Sequence, residues 1–161
     1  MSWSRRAVIL GALALAACGF SPVYGPGGTG GKLFGQVRTA DPHTPDDFSF
    51  TGRIAERLGP ETESRFLLDY QLRIAVVPQA ITPDEVTTRY ALNGTADFTL
   101  TEAGTGRVVT RGQVSSFTSY STTGTTVATM AAEQDAHERL ARMLADQVVT
   151  RLLAVAPDAM P

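Results

Sequence analysis

The chain has 161 residues, of which 43% are hydrophobic and 19% charged, an ordinary globular balance that excludes a wholly disordered polymer. A formal net charge of −2 and the absence of a basic stripe argue against nucleic acid as a partner. A single cysteine excludes an intramolecular disulfide, a multi-cysteine zinc site and an iron–sulfur cluster.

Ser4-Arg5-Arg6 reads as a positive n-region, and Ala7 to Leu15 as an apolar run broken only by Gly11, too short to span a bilayer comfortably. The run ends in Leu15-Ala16-Ala17-Cys18, which resembles the lipobox of bacterial lipoproteins. That resemblance implies a diacylglyceryl thioether on Cys18, cleavage after Ala17 and acylation of the freed amine of Cys18. Several acyl chains together anchor stably where one would hold only marginally. Residues 1–17 are therefore read as a lipoprotein signal peptide; without them 144 residues remain, with a net charge of about −4. That is the size of one domain and too little for two well-cored ones. By the same resemblance Gly19, where an Asp would point to inner-membrane retention in enteric bacteria, favours the outer membrane. The residues after Arg5-Arg6 match a twin-arginine signal only loosely, so the general secretory route is expected.

Residues 18–32 hold Pro22, Gly25, Pro26, Gly27, Gly28, Gly30 and Gly31, the composition of a flexible tether. Leu33 to Thr39 is a short strand candidate. Thr44-Pro45-Asp46-Asp47 opens a helix with a capping Thr, Pro in the first position and acids in the first turn, and Phe50, Ile54 and Leu58 then share one face up to Gly59-Pro60. Leu68, Tyr70, Leu72, Ile74 and Val76 alternate with polar residues, as do Tyr90, Leu92, Ala96, Phe98 and Leu100. Gly94 interrupts the second series and marks a bulge. A turn at Ala103–Gly106 leads to Arg107–Tyr120, rich in Val, Thr and Ser, which forms a hairpin with the strand before it and makes a polar sheet edge or partner surface. The final helix runs from about Val127 to Val155, with Ala136, Leu140, Leu144, Val148 and Leu152 as its buried stripe and Pro157 as its stop. The order β-α-β-β-β-α predicts an α+β two-layer sandwich, two helices on one face of a four-stranded, mostly antiparallel sheet. The domain is placed at 33–156, with 157–161 as a tail.

Catalytic and metal chemistry find little purchase. The two histidines, His43 between prolines and His137 in a charged segment, read as surface residues. Ser115 and Ser116 lack the glycine-flanked elbow that exposes a nucleophile. Gly25-Pro26-Gly27-Gly28-Thr29-Gly30 matches a dinucleotide fingerprint literally but has no strand before it, and Gly31-Lys32-Leu33 lacks the Ser or Thr of a P-loop. Asn93-Gly94-Thr95, a glycosylation sequon by pattern, reads as strand, and the lipobox resemblance implies a bacterium, so it is discounted. No catalytic residue, metal ligand or cofactor is assigned.

Cys18-Gly19-Phe20-Ser21-Pro22-Val23-Tyr24-Gly25, the element order, and the terminal Glu133-Gln134-Asp135-Ala136…Leu140-Ala141…Leu144-Ala145-Asp146-Gln147-Val148…Leu152 together resemble the LptE family, in its alphaproteobacterial form. The resemblance implies a non-enzymatic lipoprotein on the periplasmic side of the outer membrane, plugging a large LptD-type β-barrel that places lipopolysaccharide in the outer leaflet. It further implies contact with lipopolysaccharide itself. Phosphate groups on that lipid call for bases, yet Pro78–Thr88 and Thr122–Glu138 contain none, which leaves Arg89, Arg107 and Arg111 as candidate contacts, with Arg73 and Lys32 behind them. The alternatives are a lipid-binding carrier and a periplasmic lipoprotein acting on envelope polymers. The latter requires a pocket in which a histidine meets an acid.

Overall fold

The structure, a computed structural model, describes residues 28–81 and 87–159, without the side chains of 29, 80, 81 and 155–159. Cys18, the lipobox residues Leu15, Ala16 and Ala17, and the signal peptide lie outside the described residues. The elements in chain order are α1 (Thr29–Leu33), β1 (Val37–Thr39), α2 (Pro45–Leu58), β2 (Phe66–Ile81), β3 (Thr87–Glu102), β4 (Val108–Ser121) and α3 (Thr126–Ala159).

The four strands form one sheet in the order β1-β2-β3-β4. β1 runs parallel to β2 through the α2 crossover, while β2–β3 and β3–β4 are antiparallel hairpin neighbours. The α+β expectation holds, with one addition. A single turn of helix, α1, occupies Thr29–Leu33, where a tether and the start of a strand were expected, and buries Leu33 completely. Leu33 is apolar and needs cover; the strand itself begins only at Val37.

α2 starts as its sequence predicts. The Thr44 hydroxyl accepts from Asp47 N (3.1 Å) and the Asp47 carboxylate accepts from Thr44 N (2.9 Å), a reciprocal capping box with Pro45 in the first turn. Its inward stripe is Phe50, Ile54 and Leu58. At its end, Gly35, in a left-handed conformation (φ 71°), gathers the surrounding chain. Its N–H donates to Leu58 O, and its carbonyl accepts from Thr62 N and from the Thr62 hydroxyl.

The even-numbered residues of β2, β3 and β4 face the helices. Phe50 of α2 meets Tyr70 with ring centroids 4.8 Å apart, and Leu140 and Leu144 of α3 lie on Gly94. Gly94 is therefore not a bulge. Its register runs unbroken between Ile74 and Ser116, and a Cβ there would stand 3.0 Å from both leucine side chains. The actual irregularities lie beside Pro78 in β2 and between Leu100 and Thr101 in β3. Pro78 has no N–H to offer and is tolerated because β1 ends long before it, leaving that part of β2 at the sheet edge.

α3 buries Ala136, Leu140, Ala141, Leu144, Ala145, Val148, Val149 and Leu152, the predicted stripe widened by small residues that allow close approach. It passes Pro157 and ends at Ala159 rather than stopping before the proline. A proline so near the end costs the helix few bonds, because little of it remains downstream. The two long helices are joined by ion pairs. Arg53 Nε and Arg57 Nη1 meet Asp146 at 3.0 and 2.6 Å.

Candidate interaction surface

With both long helices on the even-numbered face, the odd-numbered face of the sheet is left without a covering layer among the described residues. It carries Asp69, Gln71 and Arg73 from β2, Asn93, Thr95, Asp97 and Thr99 from β3, and Arg111, Gln113, Ser115 and Phe117 from β4. The cross-strand register brings them together in rungs. Gln71 opposes Asp97 and Asp97 opposes Gln113; Asp69 opposes Thr99 and Thr99 opposes Arg111. Asp97 is the centre of this face, bonded by Arg73 on one side and accepting from Gln113 Nε2 (2.7 Å) on the other. Arg73 also donates to Gln71 Oε1 at 3.3 Å. A shallow trough of about 610 Å³ follows these rungs, lined by Asp69, Gln71, Asp97, Thr99 and Arg111. Beside it Phe117 is 76% exposed, in a second depression shared with Arg73, Ala75, Asn93, Thr95 and Ser115. An aromatic ring that wet, set among hydroxyls and amides, is the amphipathic chemistry of an interface.

The three candidate arginines do not converge. Arg111 stands on the uncovered face itself. Arg89 sits opposite Ser121, at the end of β3 nearest its start, ten residues along the strand from Thr99, or about 33 Å at ~3.3 Å per residue. Arg107 lies at the other end, in the β3–β4 turn, 3.5 Å from Glu102. There the Thr105 hydroxyl, helped by Arg107, holds the Glu102 carboxyl below its usual range. Of the reserve bases, Arg73 belongs to the face and Lys32 to α1. Sequence alternation marked the wet face, but not the Asp97 bridge or the exposure of Phe117, because both depend on register.

A second feature was not legible. A cleft between the start of α2, the edge of β2 and α3 is lined by Asp41, His43, Thr44, Asp46, Asp47, Tyr70, Leu72, Ile74 and His137. His137 Nδ1 lies 3.1 Å from an Asp46 oxygen, and His43 N donates to Asp47 Oδ2 at 3.2 Å. A histidine thus does meet an acid in a pocket. The serines once considered as nucleophiles are elsewhere, and the Ser116 hydroxyl points to Met143 sulfur (3.9 Å). Among the described residues no cluster of three or more His, Cys, Asp or Glu could hold a metal, and no helix is long and apolar enough to cross a membrane.

Comparison with known proteins decides what kind of chain carries this surface. The model of the family LptE, described as lipopolysaccharide-assembly, matches residues 36–152, from just before β1 to the last buried leucine of α3. The chain belongs to the LptE family. Lipopolysaccharide assembly is thereby its broad role. Solved structures share its fold. A protein of Caulobacter crescentus CB15 described as a lipoprotein is 18% identical, with a TM-score of 0.68 over 83% of this chain and 99% of that one. The rare lipoprotein B of Shewanella oneidensis is 10% identical, with a TM-score of 0.54 over 74% and 92%. A minor lipoprotein of Acinetobacter baumannii is 13% identical, with a TM-score of 0.53 over 74% and 89%. A search of curated proteins finds no match.

Proposed function

We propose that this LptE-family chain is a non-enzymatic accessory subunit, held on the periplasmic side of the outer membrane by acyl chains on Cys18, that plugs an LptD-type β-barrel through which lipopolysaccharide reaches the outer leaflet. The observation that carries the plug reading is the uncovered sheet face. Its central rungs are polar and internally neutralised at Arg73–Asp97, and the interior of a large barrel is also polar. Such surfaces match through hydrogen bonds and trapped water rather than through apolar burial. Phe117 supplies its most exposed apolar anchor, with Leu67 and Val77 of β2 toward the two ends of the same face.

Lipopolysaccharide contact falls to Arg89, Arg107 and Arg111, of which Arg89 stands at the far end of the sheet from the other two. Arg111 is the foremost of them, since its trough is wide enough for a sugar phosphate and its guanidinium can bind one bidentately. The test is photo-crosslinking in cells from probes placed at Gln113, Thr95 and Arg111, with Glu138 on the outer side of α3 as the comparison. Crosslinks from the sheet positions to a large barrel, and from Arg111 to lipopolysaccharide, are expected. Crosslinks from Glu138 alone would reverse the assignment of faces.

The His137–Asp46 pair favours a second reading, an activity on envelope polymers, because a carboxylate that orients an imidazole is the arrangement a general base uses. It lacks a neighbouring nucleophile among the described residues: the only hydroxyls lining the cleft are those of Thr44, which accepts from Asp47 N, and Tyr70.

A further inference from the structure

The two edges of the sheet are treated differently. On the β4 edge, α3 supplies donors to outward-facing carbonyls. Gln147 Nε2 bonds Ser115 O at 3.0 Å, and Arg139 Nη2 reaches Ser119 O at 3.4 Å. On the β2 edge, cover ends with β1. Phe66 N donates to Gln36 O and Leu68 O accepts from Ala40 N, so the even-numbered residues of β2 turn their peptide groups toward that edge. Alternate residues of a regular strand turn both groups to the same side. The N–H and C=O of Tyr70, Leu72, Ile74 and Val76 therefore point out of the sheet, and no described residue bonds them. The Pro78 irregularity then closes the free stretch.

The acidic cleft lies along this same stretch. Tyr70, Leu72 and Ile74 form its floor, and Asp41, Asp46 and Asp47 with His43 and His137 stand over it. Its negative potential is felt by Tyr70, whose phenol is pushed up to about 12 by burial and then by Asp47 and Asp41. The Tyr70 hydroxyl itself is shielded from water and has no partner among the described residues. A strand laid antiparallel or parallel on the edge would place every second side chain in the cleft and the others beside Asp69, Gln71 and Arg73.

We propose that the free edge of β2 from Tyr70 to Val76 is a docking site for an extended protein segment that adds as a fifth strand and directs Lys or Arg side chains, at alternate positions, into the cleft of Asp41, Asp46 and Asp47. Backbone pairing gives the affinity in such a mode and the alternate side chains give the selectivity. Charge complementarity selects the basic occupant over a second copy of this chain, whose own β2 would bring Tyr70, Leu72, Ile74 and Val76 to the cleft and no base.

The test is residue-resolved amide exchange on the full-length chain in detergent, with three capped nine-residue peptides. One alternates Lys and Thr; one has Glu for Lys; one keeps Lys but is N-methylated at every amide, so that neither of its edges can donate. The Lys peptide is expected to slow exchange at Tyr70, Leu72, Ile74 and Val76. The Glu peptide, and the Asp41→Asn, Asp46→Asn protein with the Lys peptide, are expected to bind about tenfold more weakly, and the N-methylated peptide not at all. Four outcomes overturn the proposal. The Lys peptide leaves those amides unprotected; the N-methylated peptide binds equally well, which is adsorption of a polycation; the amides are protected before any peptide is added, which means a segment of the chain itself covers the edge; or protection rises with protein concentration alone, which means a second copy does.

Discussion

Leu140 of α3 rests directly on Gly94 of β3, with its Cδ2 only 3.0 Å from where a Cβ would be. The longest helix thus sits against the sheet at the one position in the middle of β3 that has no side chain, and Leu144 fits the other side of the same gap. Gly94→Ala is expected to destabilise the domain by about 1–3 kcal/mol through overpacking, despite removing a glycine from a strand. Urea denaturation checks this. A midpoint equal to or above that of the parent would mean that α3 does not lie where described.

Gly35 and Gly106 both have positive φ, 71° and 69°, but different surroundings. A Cβ on Gly35 would be 2.7 Å from the Thr62 hydroxyl oxygen, whereas one on Gly106 meets nothing within 4 Å. Gly106→Ala is expected to cost only the left-handed backbone, about 1–2 kcal/mol. Gly35→Ala is expected to cost more, because Thr62 must also release the Gly35 carbonyl and the end of α2 loosens. Thermal melts of the two variants side by side test the ordering.

The α2–α3 junction is pH-dependent on the acid side. Burial alone would push the Asp146 carboxyl up, but hydrogen bonds from Arg53 and then Arg57 outweigh it and hold the group below its ordinary 3.8. A carboxyl lowered in the folded state contributes stability that is fully present above its unfolded pKa and lost as pH falls through the folded one. Melting temperature followed from pH 7 to pH 3 should therefore fall at the acid end, and Asp146→Asn, less stable at neutral pH, should converge with the parent there. The pair is more than a third exposed on the carboxylate side, so the effect is modest and shrinks with salt.

Replacing both histidines, His43→Ala with His137→Ala, is expected to leave lipopolysaccharide export unchanged at equal protein level. The pair His137–Asp46 links α3 to the start of α2 and so contributes to packing. Loss of export with the fold intact, shown by unchanged circular dichroism and abundance, would favour the envelope-polymer reading.

Periodicity made most of the fold readable. The capping box at Thr44 and Asp47, the Phe50-Ile54-Leu58 stripe and the Ala136-to-Leu152 stripe are local signals, and each element formed where its signal lay. Gly94 was misread because a glycine in a strand looks the same in sequence whether it makes a bulge or receives a helix; only the approach of Leu140 distinguishes the two. Leu33 entered α1 rather than β1 because its single apolar side chain carries no period. The interaction surface was legible as a wet face, but not as a constellation. Arg89 lies at the opposite end of long strands from Arg107 and Arg111, while Asp46 and His137, far apart in sequence, are in contact.

The central claim is that this chain works inside a barrel. It is tested most directly by recovering C-terminally tagged protein from outer membranes in mild detergent and identifying by mass spectrometry what remains bound. The account predicts stoichiometric recovery of one large β-barrel, lost when Phe117→Asp and Gln113→Arg are combined on the uncovered face. Recovery of the chain alone, from membranes in which it is abundant and folded, would contradict it.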